Sequence, residues 1–153
     1  MCRRDLHMNN AGHLKFNWER YLSLAEYLLA SMADNEDDES KDRCGISRAY
    51  YAAFHRAEKF LKAINQSIDI YQSGSHENII KIFEDFGRKN KPYAFIAKEL
   101  KRLKLMRIKA DYNDKYFENA RNTASLKQEL KKAILMAKDI INIINEIEQS
   151  EKN

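Results

Sequence analysis

Proline and glycine are scarce in this chain. There is one proline, Pro92, and there are four glycines among 153 residues, while Leu, Ile, Ala, Lys and Glu are abundant. Because proline and glycine mark turns, their scarcity argues against a fold of many short strands. The composition predicts an all-α protein, an antiparallel bundle of four to five helices. The length predicts one domain, over residues 13–150, behind a flexible lead-in over residues 1–12.

Cysteine and long apolar runs are also scarce. The two cysteines, Cys2 and Cys44, form neither a disulfide framework nor a metal-ligand pair, which predicts reduced thiols in a cytoplasmic protein. No segment approaches the roughly 20 apolar residues that a membrane span needs, and the N-terminus has no secretory pattern. We therefore expect a cytoplasmic protein without membrane contact.

The common motifs of metal and cofactor chemistry are absent from the sequence. There is no HExxH-like spacing, no carboxylate cluster on a helix, no glycine-rich phosphate loop and no serine in a nucleophile elbow. These absences argue against a metal enzyme, and we expect no metal site and no cofactor.

Apolar residues at helical spacing predict five helices. The first spans about 14–32, the second about 41–65 and the fifth about 125–149. We expect Ser75 to cap the third and Gly87 to end it, and Pro92 to lie in the first turn of the fourth, which bends or breaks near 111–114. The seam between the first, second and fifth helices is predicted to bury five residues: Trp18, Phe54, Leu61, Leu130 and Ile144.

Charge is distributed unevenly around a net value of +4. Residues 34–42, "DNEDDESKD", are acidic and predict a loop, whereas basic residues dominate from Arg88 to Lys109. Such a basic run can bind a polyanion through its phosphates, or it can be an ordinary solvated helix face. If it binds RNA, the backbone ligands are predicted to be Lys98, Lys101, Arg102 and Lys104.

The second predicted helix carries an unusual polar line. Seven helical positions make almost two full turns, so Arg48 and His55 share a face about 10 Å apart, with Tyr51 between them. In one interpretation Arg48 pairs with an acid of the preceding loop and His55 packs between helices. In the other they are catalytic: His55 moves a proton, Arg48 stabilises phosphate charge and Tyr51 bonds to the phosphate or polarises the nucleophile.

Three segments together resemble the HEPN domains, a family named for higher eukaryotes and prokaryotes nucleotide-binding. They are "ISRAYYAAFHRAEKFL", "GSHENIIKIFEDF" and "LKRLKLMRIKADYND", in that order. The resemblance is to the small stand-alone prokaryotic branch, which is associated with toxins and defence. It implies a helical bundle, a homodimer and RNA as a ligand. It also implies that a minimal nucleotidyltransferase or an antitoxin is the partner.

The family's catalytic pattern is an arginine, four to six residues and a histidine, on the helix before the last. By position it falls on "RIKADYND", where Arg107 matches the arginine but Asp111 or Tyr112 stands in place of the histidine. These three residues form an alternative site. Arg48 and His55 have the required spacing but lie on an earlier helix, where a two-fold dimer would bring Arg48 of one subunit near His55 of the other.

The other histidines are predicted to have no catalytic role. His76 is predicted to be a surface residue or part of a cap, and His7 and His13 fall in or near the lead-in.

The resemblance predicts a metal-independent endoribonuclease that acts as a toxin or defence effector. The alternative is a non-catalytic HEPN module that binds a nucleotide, RNA or a partner protein. A purely structural helical adaptor is a third interpretation.

Overall fold

The computed structural model describes residues 16–31, 38–65, 74–114 and 123–152. These residues form five helices: α1 Arg20–Ala30, α2 Asp38–Ile64, α3 Ser75–Gly87, α4 Lys91–Tyr112 and α5 Thr123–Ser150. No strand occurs in these four ranges, so the prediction of an all-helical bundle is confirmed. The predicted lead-in over residues 1–12, with His7, and also His13, lie outside the described residues.

The central helix is α2, which packs against each of the other four. Its alanines Ala49, Ala53 and Ala57 are fully buried and allow neighbouring helices to come close. Gly45 adds to this, because a Cβ there would lie 2.6 Å from a methyl carbon of Leu130 on α5. The arginine Arg56 is also buried and binds Glu148 of α5, with Nη2 and Oε2 2.7 Å apart, so a polar contact supports the apolar seam.

The predicted core is confirmed for four of its five members. Phe54, Leu61, Leu130 and Ile144 are buried. Trp18 is 40% exposed, so the prediction that it belongs to the seam is wrong. The reason is local: residues 16–19 are not helical, α1 begins only at Arg20, and the indole therefore lies outside the apolar stripe of α1.

The acidic stretch 34–42 was predicted to be a loop, and this is wrong for its second half. α2 begins within it at Asp38. Asp38 and Glu39 occupy the first turn, where negative charge is favoured by the helix dipole. Lys41 also joins its ammonium to Asp38 and to the carbonyl oxygen of Ser31, both at 2.7 Å. These charges favour the helix start, where the sequence pattern had predicted a loop.

The turns around α3 and α4 follow the sequence pattern with one correction. Gly74, with a φ of 87°, is the N-cap of α3, so Ser75 is the first helical residue and not the cap. Gly87 ends α3, and a Cβ there would lie 2.7 Å from the backbone of Ala94 on α4. Pro92 lies in the first turn of α4, which ends at Tyr112, as predicted.

Within the described ranges, none of the helices has the length and apolar character that crossing a membrane requires.

Candidate functional site

The side chain of Tyr51 joins the two sets of residues that the sequence singled out separately. Its hydroxyl oxygen accepts a hydrogen bond of 2.6 Å from Nη2 of Arg107 on α4. The guanidinium carbons of Arg48 and Arg107 lie 5.3 and 5.2 Å from the centre of its ring. One aromatic ring thus contacts two arginines from two helices. We call Arg48, Tyr51, His55, Arg107 and Asp111 the Tyr51 cluster.

Asp111 supplies the negative charge on the α4 side of the cluster. Its Oδ2 lies 2.7 Å from Nε of Arg107, one helical turn earlier. The Nε–H does not point along this contact, so it is an ion pair and not a hydrogen bond. The same oxygen accepts a hydrogen bond of 3.3 Å from the hydroxyl of Ser47. Asp111 therefore holds Arg107 in place and ties α4 to α2. Tyr112 is exposed, with its ring 5.3 Å from the guanidinium carbon of Arg107.

Arg48 has few partners for its donors. Its one hydrogen bond to a described side chain is a long one of 3.4 Å, from Nη2 to the hydroxyl of Ser47. Its Nε is buried and donates to no acceptor among the described residues. Across the described ranges no carboxylate lies within ion-pair distance of it, so the predicted pairing with an acid of the preceding loop is not seen there. The guanidinium rests instead against the rings of Tyr21 and Tyr51.

His55 is held on both sides. Its Nδ1 lies 2.7 Å from Oε2 of Glu58, one turn along α2. Burial acts to raise the pKa of Glu58, but the hydrogen bond from His55 and the charges of His55 and Lys62 hold that pKa below its ordinary value. An ionised Glu58 can only accept, so Nδ1 carries the proton and Nε2 of a neutral His55 is free to act as a base. The indole of Trp18 stacks on the imidazole at 3.8 Å, and 18% of the side chain remains exposed.

His76 is a member of this region that the sequence interpretation missed. It was predicted to be a surface or capping residue, but it is half-buried, stacked on Phe54 at 4.2 Å and bonded through Nδ1 to the hydroxyl of Tyr50. Burial lowers its pKa, and the positive charges of Arg107 and Lys104 lower it further. Burial raises the pKa of Tyr50, so the neutral phenol donates to the neutral imidazole.

The sequence did carry a pattern that places His76. The buried residues Ile79, Ile80 and Phe83 follow it at three, four and seven positions. Those spacings put the histidine on the inner face of α3.

The four basic residues predicted to bind the RNA backbone, three lysines and Arg102, are not equivalent. Lys98 and Lys101 are exposed, and the ammonium of Lys101 lies 3.5 Å from Glu84. Arg102 donates to both carboxylate oxygens of the buried Glu99, and Lys104 is paired with Glu77. Arg102 is 47% exposed but is engaged by Glu99, and Lys104 is engaged by Glu77, so Lys98 and Lys101 are the better placed phosphate ligands of the four.

The Tyr51 cluster combines the two properties that phosphate chemistry requires. Two guanidinium groups supply fixed positive charge, and an imidazole oriented by a carboxylate can accept and donate a proton. The structure brings Arg48, Tyr51 and His55 together with Arg107 and Asp111, and it leaves Lys98 and Lys101 outside as an exposed basic surface.

A family model described as the HEPN domain matches residues 18–147. This range contains the whole Tyr51 cluster, His76 and Trp18. No curated protein and no solved structure matches the chain.

Proposed function

The chain belongs to the HEPN family, and on that premise we propose that it is a metal-independent endoribonuclease acting as a toxin or defence effector. The observation that carries the proposal is the meeting of Arg48 and Arg107 at the ring of Tyr51, beside an imidazole that Glu58 orients. These are the groups that RNA cleavage needs when its own 2′-hydroxyl is the nucleophile.

The proposed reaction uses His55 twice. Nε2 takes the proton of the 2′-hydroxyl as the oxygen attacks the adjacent phosphorus. Charge builds on the phosphate oxygens, and the guanidinium of Arg48 stabilises it. The bond to the 5′-oxygen then breaks, and the protonated His55 returns its proton to that leaving group. The products are a 2′,3′-cyclic phosphate and a 5′-hydroxyl end. Arg107 adds positive charge from α4, where Tyr51 and Asp111 hold it.

We propose that the active form is a homodimer. The exposed face of α4 supports this, because Leu105, Ile108 and Tyr112 lie three and four residues apart and leave apolar surface in water. Tyr112 also contacts Arg107, so a second copy on this face would border the Tyr51 cluster. Sedimentation of the protein should show a dimer that Leu105→Glu dissociates, and a monomeric wild type would remove this part of the proposal.

The experiment follows cleavage of a labelled single-stranded RNA in excess EDTA. We expect products with cyclic phosphate ends, and no cutting at a position where the 2′-hydroxyl is replaced by hydrogen. Arg48→Ala should slow cleavage by roughly 10²–10³-fold, as removing one stabiliser of transition-state charge does. Lys59→Ala, an exposed residue of the same helix, is the matched control and should cleave at the wild-type rate. Cutting that needs a metal, or that survives Arg48→Ala, would overturn the proposal.

One observation favours the non-catalytic alternative. Asp111 stands where the family pattern has a histidine, and its carboxylate neutralises part of the charge on Arg107. A module of this kind would bind a nucleotide, RNA or a partner such as a nucleotidyltransferase or an antitoxin without cutting. Binding of RNA without cyclic phosphate products in the same assay would select this alternative.

A further inference from the structure

Three aromatic side chains at the start of α1 contact one another outside the core. Phe16 and Trp18 have ring centres 4.9 Å apart, Trp18 and Tyr21 are 5.4 Å apart, and Phe16 and Tyr21 are 5.3 Å apart. Phe16 is 51% exposed and Trp18 is 40% exposed. We call these three residues the aromatic platform. Exposed aromatic surface of this kind needs a reason, because burying it in the core would be more favourable.

The aromatic platform borders both ends of the polar line on α2. The indole of Trp18 lies on the imidazole of His55 at 3.8 Å, with the two planes 25° apart. The ring of Tyr21 lies 4.7 Å from the guanidinium carbon of Arg48. A molecule that touched His55 and Arg48 would therefore meet aromatic rings at the same time.

The charge next to the aromatic platform indicates which kind of molecule fits. Among the described residues, Arg48 contacts two rings and forms one long hydrogen bond to Ser47, so most of the N–H donors on its two Nη atoms are available to an anion. The aromatic rings can stack on a nucleobase while the guanidinium donates to the phosphate beside that base. Single-stranded nucleic acid offers both groups, since each unpaired base has a free face for stacking. Duplex RNA does not, because its bases are stacked within the helix.

We propose that the aromatic platform binds an unpaired nucleobase of single-stranded RNA, with Trp18 as the stacking residue and Arg48 on the adjoining phosphate. This inference rests on the proposed function and gives its substrate class. The base stacks on the indole, whose other face lies on His55, and the adjoining phosphate extends along the polar line toward Arg48. The aromatic platform thus selects unpaired RNA, and it makes Trp18 a specificity-determining residue.

Trp18 is the one tryptophan of the chain, so its fluorescence reports on the aromatic platform directly. The probe is a single-stranded 2′-O-methyl RNA of roughly 12 nucleotides, within the usual site size for single strands. It lacks the nucleophile and cannot be cleaved. We expect it to quench the fluorescence of the wild-type protein. The same strand annealed to its complement should quench little, and quenching that is equal for the duplex would overturn the choice of unpaired RNA.

Affinity of the labelled probe, followed by anisotropy, tests the role of the side chain. Trp18→Ala should weaken binding by roughly 5- to 150-fold, the range for loss of one base–aromatic stack. Trp18→Phe keeps a ring and should lose less of the affinity. It also keeps the test valid if the alanine variant does not fold. Tyr27→Ala is the matched control, since Tyr27 is an exposed aromatic residue of α1. Its affinity should equal that of the wild type.

The outcomes separate this inference from the proposed function. Binding and cleavage that are both unaffected by Trp18→Ala overturn the aromatic platform and leave the endoribonuclease standing. Binding that depends on Trp18 without cleavage of ordinary RNA supports the aromatic platform and overturns the endoribonuclease. Self-association that depends on Trp18, with no quenching by the probe, identifies the surface as a contact between copies and overturns the inference.

Discussion

The hydrogen bond between Arg107 and Tyr51 gives a quantitative test of whether α2 and α4 build one site. Tyr51→Phe removes the hydroxyl that accepts from Nη2 at 2.6 Å but keeps the ring between the two arginines. Hydrogen bonds to charged groups contribute roughly 1.5–3 kcal/mol. The Arg107 side chain is 17% exposed, and screening by water places the expected value at the lower end, about 1.5 kcal/mol. For a chain of this size that lowers Tm by roughly 3–6 °C.

A double-mutant cycle isolates this contact. Urea unfolding is measured for Tyr51→Phe, Arg107→Met and the double variant. Arg107→Met also removes the ion-pair partner of Asp111. This cost is the same in the single and the double variant, so it cancels in the coupling energy. We expect a coupling of about 1.5 kcal/mol, whereas the same cycle with Tyr27→Phe should be additive. A coupling below roughly 0.5 kcal/mol, the limit for independent sites, would show that the two sets of residues do not act together.

Three further predictions test the surroundings of the site. Gly87→Ala should lower the free energy of unfolding in urea by about 1–3 kcal/mol, because the new methyl group meets the backbone of α4 at 2.7 Å. The pKa of His76 is lower in the folded protein than in the unfolded chain. The stability that His76 contributes is therefore complete above about pH 6.5 and is lost as the pH falls through the folded pKa. His76→Phe should reduce this pH dependence in thermal melts. Lys98→Glu with Lys101→Glu should weaken RNA binding for every sequence and flatten its salt dependence, whereas Arg102→Glu should mainly lower Tm, because a buried carboxylate loses its partner.

Much of the fold was predictable from the sequence because its determinants are local. Pro92 and Gly87 act within a few residues of their own positions, and the apolar stripe of α2 repeats along one helix. The start of α2 was not predictable from hydrophobicity, because charges at Asp38 and Lys41 stabilise the first turn. Trp18 was misplaced because an apolar residue just before a helix shows the same spacing as one inside it.

The candidate site was predictable only in parts. Arg48, Tyr51 and His55 share a face of one helix, which spacing alone establishes. The bond from Arg107 to Tyr51 joins residues 56 apart in sequence, and the contact between Tyr50 and His76 spans 26. Such contacts depend on how the helices pack, and helical periodicity does not determine packing. The sequence therefore presented two alternative sites where the fold makes a single cluster.

Cleavage by His55→Ala tests the central claim most directly. The measurement is the single-turnover rate of cutting a single-stranded RNA in excess EDTA, at saturating protein, relative to the wild type. We predict a rate lower by roughly 10²–10⁴-fold, the span for removing a general acid–base group, with the variant still folded by circular dichroism. A folded His55→Ala protein that cleaves at the wild-type rate would contradict the assignment of His55 as the proton-transfer group.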